Sequence, residues 1–406
     1  MHARALRNPL AYAALILPPA AVIDYKLIPL AMAATLAAAA VAAWPWKLRI
    51  WPPLAAGLAL LLAWSLLSAS WSIDPGHSLA RFARLALTVA AGVLLCQLAA
   101  SLASADRRDV ARWLAAGVLL ASAFVGFRQT WLQLCPAGIV AEFLIAGPVT
   151  AYNSVAVLFV LALLATLNKA PVSRLTLAAV VAAVAAIVAS GSTASIAALG
   201  SALIAYAAVA WLGRKAVQAL AVLLPVAFLA FPLSLGTLDL PSHIKAQGWI
   251  VGGSIGHRMI IWRYVSEKIR AKPVLGWGLH TGRLLPDREN RADGDPRYAD
   301  IFAVTWFGRD AKIELMPLHP HNATLHLWLE LGAVGAALYA ALYALCLLGL
   351  LRIPVPRAAL AGGAGAITGT FMLGQLSFSV WQSWWLCVQF LVAALYILTA
   401  RRDGGA

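Results

Sequence analysis

Charge is what this chain has least of. Only 12% of its 406 residues are Asp, Glu, Lys or Arg, and carboxylates number 16 against 31 basic side chains. Soluble domains carry roughly a quarter of charged residues, so a water-facing globular surface is excluded. Cysteine is equally scarce. Cys96, Cys135, Cys346 and Cys387 stand far apart, in or beside apolar runs, and no Cys-x-x-Cys pair occurs. That spacing argues against a disulfide framework or a thiolate zinc centre and leaves four small buried hydrophobes. No small-residue cleavage region followed by a soluble domain is present, so no cleavable signal peptide is expected. Tandem repeats, heptad arrays and low-complexity tails are also missing.

What the chain has instead is apolar length. Hydrophobic residues make up 62% of it, and its mean hydropathy is +0.82. Runs near the 17 to 25 residues that a bilayer requires lie at residues 9–23, 27–43, 53–69, 79–102, 110–132, 150–167, 175–190, 194–212, 216–235, 322–351, 358–378 and 381–399. The first carries Pro18-Pro19 and has the least defined limits. The expected fold is all-α: a polytopic membrane protein of about twelve transmembrane helices with one large extracytoplasmic loop containing short helices. Three segments follow: residues 1–236 with helices one to nine, the loop at 237–320, and residues 321–406 with helices ten to twelve.

The basic residues orient this layout. With both termini cytoplasmic, fifteen of them, from Arg4 and Arg7 to Arg401 and Arg402, fall at inner ends of spans, whereas the short outer connections hold only Lys26, Arg81, Arg84 and Arg128. Such a bias retains loops in the cytoplasm, and long loops are exempt from the count. The net charge of +15 is therefore mostly a topological signal, and nucleic acid is not an expected partner. The long loop holds the other twelve basic residues beside nine acidic ones. Within it, residues 256–271 read as an amphipathic helix, with Ile261, Val265 and Ile269 on one stripe and Arg263, Glu267 and Arg270 on another. Such a helix would lie on the bilayer or cap the spans. Pro273, Gly276 and Gly278 then break it, and residues 287–298 read as a charged, flexible segment.

The loop closes on His319-Pro-His321-Asn322, directly ahead of the tenth span. Asn322 suits an N-cap, because its side chain can accept from the free N–H groups of the first turn. His321 would then precede a helix N-terminus, whose partial positive charge keeps the ring neutral near pH 7. A neutral imidazole can take a proton from a hydroxyl as a general base. Other readings stand beside this one: His319 and His321 as ordinary interfacial polar residues, or a zinc site from His319, His321 and His326, for which no Asp, Glu or Cys has convincing ligand spacing. Glu330 falls about 12 Å into the helix at 1.5 Å per residue. An ionisable group at that depth is a functional suspect, or simply an i,i+4 partner for His326. Arg258 and Arg263 begin the amphipathic helix, and Arg81, Arg84 and Arg128 resist the charge bias. Phosphate is a natural ligand for each, since guanidinium binds its oxygens bidentately; snorkelling is the alternative.

His321-Asn322 with Leu325, Leu329-Glu330, Gly332 and Gly335 resembles the signature of the O-antigen ligase and polymerase superfamily of bacterial envelope glycosyltransferases, and most closely that of lipopolysaccharide O-antigen ligase. The segment Trp71-Ser72-Ile73-Asp74-Pro75 with Ser78-Leu79, Asn153, and Arg258 with Trp262 ahead of Pro273, Gly276 and Gly278 support the likeness, which covers most of the chain. The resemblance implies a GT-C-like fold in the bacterial inner membrane with its active site on the periplasmic side. It implies inverting, metal-independent transfer of a glycan from undecaprenyl pyrophosphate to a lipid A core sugar hydroxyl, with no cofactor. Membrane lipids surround the enzyme, and a monomer or weak homodimer is expected. Carried onto this chain, the catalytic histidine falls on His321 and the loop arginine on Arg258. One departure matters: many members place an arginine after Ser-x-Ser between spans seven and eight, and here Ser190-Gly191-Ser192 is followed by Thr193. A second phosphate ligand must come from Arg81, Arg84, Arg128 or Arg263, while His319, Asn322 and Glu330 complete the expected substrate-binding set.

The alternatives within the superfamily are an O-antigen polymerase and an O-linking oligosaccharyltransferase. A single large loop and no large C-terminal domain favour the ligase. A transporter is the alternative of another class, with Gly362-Gly363-Ala364-Gly365 and the broken first span as hinges. Ion-coupling charges are scarce in the spans, however, and no interrupted segments pair between matching halves.

Overall fold

A computed structural model describes residues 9–46, 50–101, 107–134, 140–166, 174–234, 239–308 and 312–400. The long helices are α1 (Pro9–Ile23), α2 (Ile28–Ala42), α3 (Pro52–Leu67), α4 (Pro75–Ser101), α5 (Arg107–Leu134), α6 (Val140–Leu164), α7 (Arg174–Ala189), α8 (Thr193–Leu212) and α9 (Arg214–Ser234). After the loop come α13 (Ala323–Leu350), α14 (Arg357–Leu376) and α15 (Ser383–Ala400). The loop itself contains α10 (Leu240–Ala246), α11 (Gly253–Ala271), α12 (Ala299–Ala303) and two short parallel strands, β1 (Val251–Gly252) and β2 (Thr305–Trp306). Each apolar run falls on a long helix, although α6 starts at Val140 rather than near residue 150. Among the described residues, seven helices are long and apolar enough to cross a membrane. Four more apolar helices are shorter, Pro9–Ile23, Tyr152–Leu164, Arg174–Ala189 and Ser383–Thr399.

Small residues set the helix packing, as lipid-embedded interfaces require when no hydrophobic force acts between helices. The glycines that suggested a transporter hinge lie instead within α14, in a close-packed seam: a Cβ on Gly362 would meet that of Ala165 at 2.5 Å. Cys96, Cys346 and Cys387 are free thiols; Cys135 lies outside the described residues.

Two ends of the bundle differ in chemistry. At one, Arg214 donates to the Leu351 carbonyl (3.1 Å), Arg357 to that of Trp211, and Arg352 lies over the Trp51 ring. At the other, the loop docks. Ser78 Oγ donates to the Leu279 carbonyl (2.7 Å) and Ser68 Oγ accepts from the Leu279 amide (3.1 Å).

The loop carries its own core. α11 buries Met259, Ile260, Ile261, Tyr264, Val265 and Ile269, and these join Tyr298, Ile301, Leu315 and Met316 with Leu325 and Leu329 of α13. Each such side chain contributes roughly 1.5–3 kcal/mol by leaving water, so α11 caps the helices instead of floating on a lipid surface. The segment at 287–298 is ordered, contrary to its reading as flexible. Its backbone pairs with residues 313–316: Ala292 donates to the Ile313 carbonyl (2.8 Å), Leu315 to Asn290 (3.0 Å) and Met316 to Arg288 (2.9 Å). Its charges close on one another, Arg291 with Asp293 and Arg297 with Asp295.

One break in α13 shapes the site. Gly332 has φ +65° and interrupts the helix, leaving carbonyls that need donors. Trp277 and Gly278 amides fill those of Leu329 (2.9 Å) and Glu330 (2.8 Å), Trp64 Nε1 fills that of Leu331 (3.0 Å), and the Ala333 amide turns to Pro273 (2.9 Å). The approach is close enough to demand glycine on both sides. A Cβ on Gly276, itself at φ +69°, would meet the Glu330 carbonyl oxygen at 2.5 Å, and one on Gly332 would meet the Val274 oxygen at 2.1 Å. Glu330 therefore ends a short half-helix against the loop, and does not lie partway along an unbroken span.

Candidate functional site

Asn322 adopts extended backbone and caps α13, its Oδ1 accepting from the Leu325 amide (2.9 Å), while its Nδ2 donates to the Gln375 carbonyl (3.2 Å). This cap fixes the residue before it. His321 has φ +51°, a left-handed backbone that non-glycine residues seldom adopt outside functional sites. Its amide donates to His319 Nδ1 (3.1 Å), so that nitrogen carries no proton. The decisive contact is the next one: His321 Nδ1 lies 3.0 Å from the Ser377 carbonyl, which can only accept. The proton is therefore on Nδ1, and the Nε2 lone pair is left free. The α11 residue Trp262 braces the turn by donating to the Pro320 carbonyl (3.0 Å).

Burial keeps these rings uncharged. It is the first cause that lowers His321 below its ordinary pKa; the Ser377 carbonyl opposes it, and the Arg258 cation adds to it. His319, almost wholly enclosed, is pushed down to about 2 by burial and by its neighbouring imidazoles. The rings form a row: His319 to His321 at 4.2 Å between centroids, His319 to His326 at 6.2 Å, and His326 to Trp381 at 6.2 Å.

Glu330 anchors the far end of the row. Its side chain is 1% exposed. Oε2 accepts from the His280 amide (2.7 Å) and Trp381 Nε1 (2.6 Å); Oε1 accepts from the Gly282 amide (3.0 Å) and His326 Nε2 (3.2 Å). The i,i+4 contact with His326 is present, but it is one of four. Every partner is an N–H donor, which fits a carboxylate and leaves no oxygen to act on substrate.

The arginines separate into four situations. Arg258 is half-buried on α11, with burial lowering its pKa, and has no hydrogen-bond or ion-pair partner among the described residues. Its charge is felt at His321. Arg263 is engaged elsewhere: both Nη atoms meet the Asp300 carboxylate at 2.7 Å, and one also reaches the Arg297 carbonyl. Arg128 is buried on α5, its Nε and one Nη unpartnered, and it belongs to neither the histidine row nor the cleft beside it. That cleft, of about 180 Å³, is lined by Arg81 and Arg84 together with His280, Arg283, Ser379, Trp381, Gln382 and Ser383.

Sequence reasoning did not single out His280, Arg283, Ser377, Trp381 or Gln382. The first two follow the Gly276/Gly278 turn at i,i+3 spacing, which was a readable signal. The other three lie in a short connection whose role depends on contacts more than fifty residues away. Among the described residues no three His, Cys, Asp or Glu side chains converge as metal ligands, so the zinc reading of His319, His321 and His326 lacks its geometry.

Comparison with known proteins bears on the same region. Residues 177–340, from α7 into α13, match a family model described as O-Antigen ligase. A Rickettsia prowazekii protein named "Putative polysaccharide ligase" is 29% identical over 175 residues, and its namesakes from Rickettsia typhi and Rickettsia conorii are 27% and 28% identical over the same length. The shared stretch covers 43% of this chain and 39–40% of each relative. The chain thus spans about two-fifths of the curated relatives it matches.

Proposed function

We propose that the chain is a glycosyltransferase that moves an O-antigen polysaccharide from undecaprenyl pyrophosphate to a lipid A core hydroxyl, a reading supported by the match of residues 177–340 to a family model described as O-Antigen ligase. The twelve-helix layout, the periplasmic loop at 237–320 and a location in the bacterial inner membrane are parts of this reading. The observation that carries it is the contact of His321 Nδ1 with the Ser377 carbonyl, which selects the tautomer. With Nδ1–H held by Ser377 and the ring kept neutral by burial, Nε2 is a proton acceptor set beside an unpaired guanidinium.

In the reaction, the acceptor O–H gives its proton to His321 Nε2 as its oxygen attacks the anomeric carbon. The bond from that carbon to the diphosphate oxygen breaks with inversion, and its electron pair leaves with undecaprenyl pyrophosphate. Arg258 stabilises the departing charge, an electrostatic contribution typically worth several kcal/mol in a water-poor site. Asn322 and His319 hold the base in place, and Glu330 holds the loop against the broken helix.

The test is glycan transfer by purified protein in detergent, with lipid-linked O-antigen, lipid A core and EDTA. Transfer should occur and be lost in His321→Ala; undiminished transfer in that variant removes the general base. Transfer only to a second lipid-linked glycan would assign the chain as a polymerase, and flux into proteoliposomes without covalent product would assign a transporter.

A further inference from the structure

We propose that the cleft between α4 and the His280–Arg283 turn is a binding subsite for a phosphorylated sugar of a glycolipid substrate, with Arg81, Arg84 and Arg283 as its phosphate ligands. The inference rests on the glycosyl-transfer reading of the neighbouring histidines. Its geometry is independent of them. His77, Arg81 and Arg84 follow i, i+4, i+7 spacing, so they form one stripe on α4. His280 and Arg283 face that stripe from the turn, the rings of His77 and His280 lying 6.0 Å apart.

Three guanidinium groups thus line one cleft of about 180 Å³, and none has a carboxylate partner among the described residues. By contrast Arg263, Arg288, Arg291 and Arg297 are each paired. Glu330, which holds the His280 and Gly282 amides, is turned inward and saturated by four N–H donors. Like charges held together without counterions are stabilised by an anion, and the guanidinium fork suits phosphate.

A second feature extends the ligand beyond phosphate. Gln382 Oε1, in the cleft wall, is buried with no donor, as is His77 Nε2. Ser379, Gln382 and Ser383 line the cleft with polar side chains, which suit the hydroxyls of a sugar. The space is smaller than the roughly 300–1,000 Å³ of pockets for drug-sized ligands, and suits a phosphate with part of its sugar. The ring row of Trp381, His326 and His319 runs from the cleft to His321. The phosphate bound here can belong to the donor's sugar diphosphate or to a phosphorylated acceptor sugar.

Binding by microscale thermophoresis in detergent separates these sources. The probes are a short-chain polyprenyl diphosphate sugar and bis-phosphorylated lipid A, each beside its phosphate-free counterpart. For Arg81→Gln/Arg84→Gln and for Arg283→Gln, the Kd of one phosphorylated probe should rise at least tenfold, while Arg270→Gln, a loss of an exposed arginine on α11, should leave it unchanged. Loss confined to the first probe assigns the donor, and loss confined to lipid A the acceptor. Because Arg84 is exposed, Arg84→Gln alone serves as the variant that keeps the fold. Kd values within twofold of wild type for both phosphorylated probes, or equal losses for the phosphate-free ones, would overturn the proposal. Binding requires no transfer, so a protein that binds through these arginines yet transfers nothing would refute only the glycosyltransferase reading.

Discussion

Replacing Glu330 by Gln keeps the shape of the side chain and turns one of its two acceptors into a donor. In one orientation the new NH₂ meets the His280 amide and Trp381 Nε1, both donors, and two buried N–H groups lose their partner. In the other it meets the Gly282 amide and His326 Nε2. His326 can change tautomer and accept, so a single N–H is orphaned, and this is the orientation the protein will adopt. An orphaned buried donor costs about 1–3 kcal/mol, and the remaining bonds lose charge assistance of roughly 1 kcal/mol in total. A local destabilisation of about 2–4 kcal/mol follows. At 1.4 kcal/mol per decade, hydrogen exchange at the His280–Gly282 amides should accelerate about 30- to 700-fold if it proceeds by local opening. The check is hydrogen–deuterium exchange by mass spectrometry on peptides covering 278–284, with Glu330→Ala as the larger perturbation. Unchanged protection of those amides in both variants would refute the assignment of Glu330 as the clamp between loop and half-helix.

Other outcomes follow from the same geometry. Since burial lowers the pKa of His321, its basic form persists below pH 6.5, and the acid limb of a kcat/KM profile should lie under that value; a limb at or above it would contradict the burial argument. Stability should move in the same direction. The unfolded histidines take up protons near pH 6.5, whereas folded His319, held to about 2, and His280, held to about 4, do not, so thermal stability should be full above 6.5 and decline as pH falls below it. Gly332→Ala should lower the melting temperature sharply or prevent folding, because its Cβ has no room at a positive φ; a fully stable variant would be inconsistent with the helix break. Arg258→Gln should abolish transfer with little effect on stability, whereas Arg263→Gln should leave the reaction intact and cost at most about 1 kcal/mol for a partly exposed ion pair. Reversed effects in paired activity and melting assays would exchange their roles.

The sequence made the helices legible because bilayer solvation leaves the backbone few options: apolar runs of sufficient length become helices, and the limits of α1, α8 and α13 fell within a residue of those runs. The Asn322 cap was readable for a local reason, since it is a contact of three residues' reach. Contacts over long separations were not. Nothing local to Ser377 announces that its carbonyl fixes a ring at residue 321, and nothing local to Arg263 announces Asp300. Glu330 was noticed for its charge, yet depth along a helix was the wrong measure of its surroundings. The Gly332 break, visible only as a glycine in an apolar run, brings the loop against Glu330 within that helix. The segment at 287–298 misled because alternating charge looks the same in a solvated coil and in a run of turns whose ions are paired.

The stitching of the loop to the bundle also fixes an order of events during synthesis. Ser68 and Ser78 find Leu279 across 211 and 201 residues, and Trp64 finds Leu331 across 267. The ends of α3 and α4 that meet Leu279 and Leu331 must therefore wait for these partners until two-thirds of the chain or more has left the ribosome. A truncation ending before residue 331 would leave the Trp64 indole N–H of α3 without its carbonyl partner.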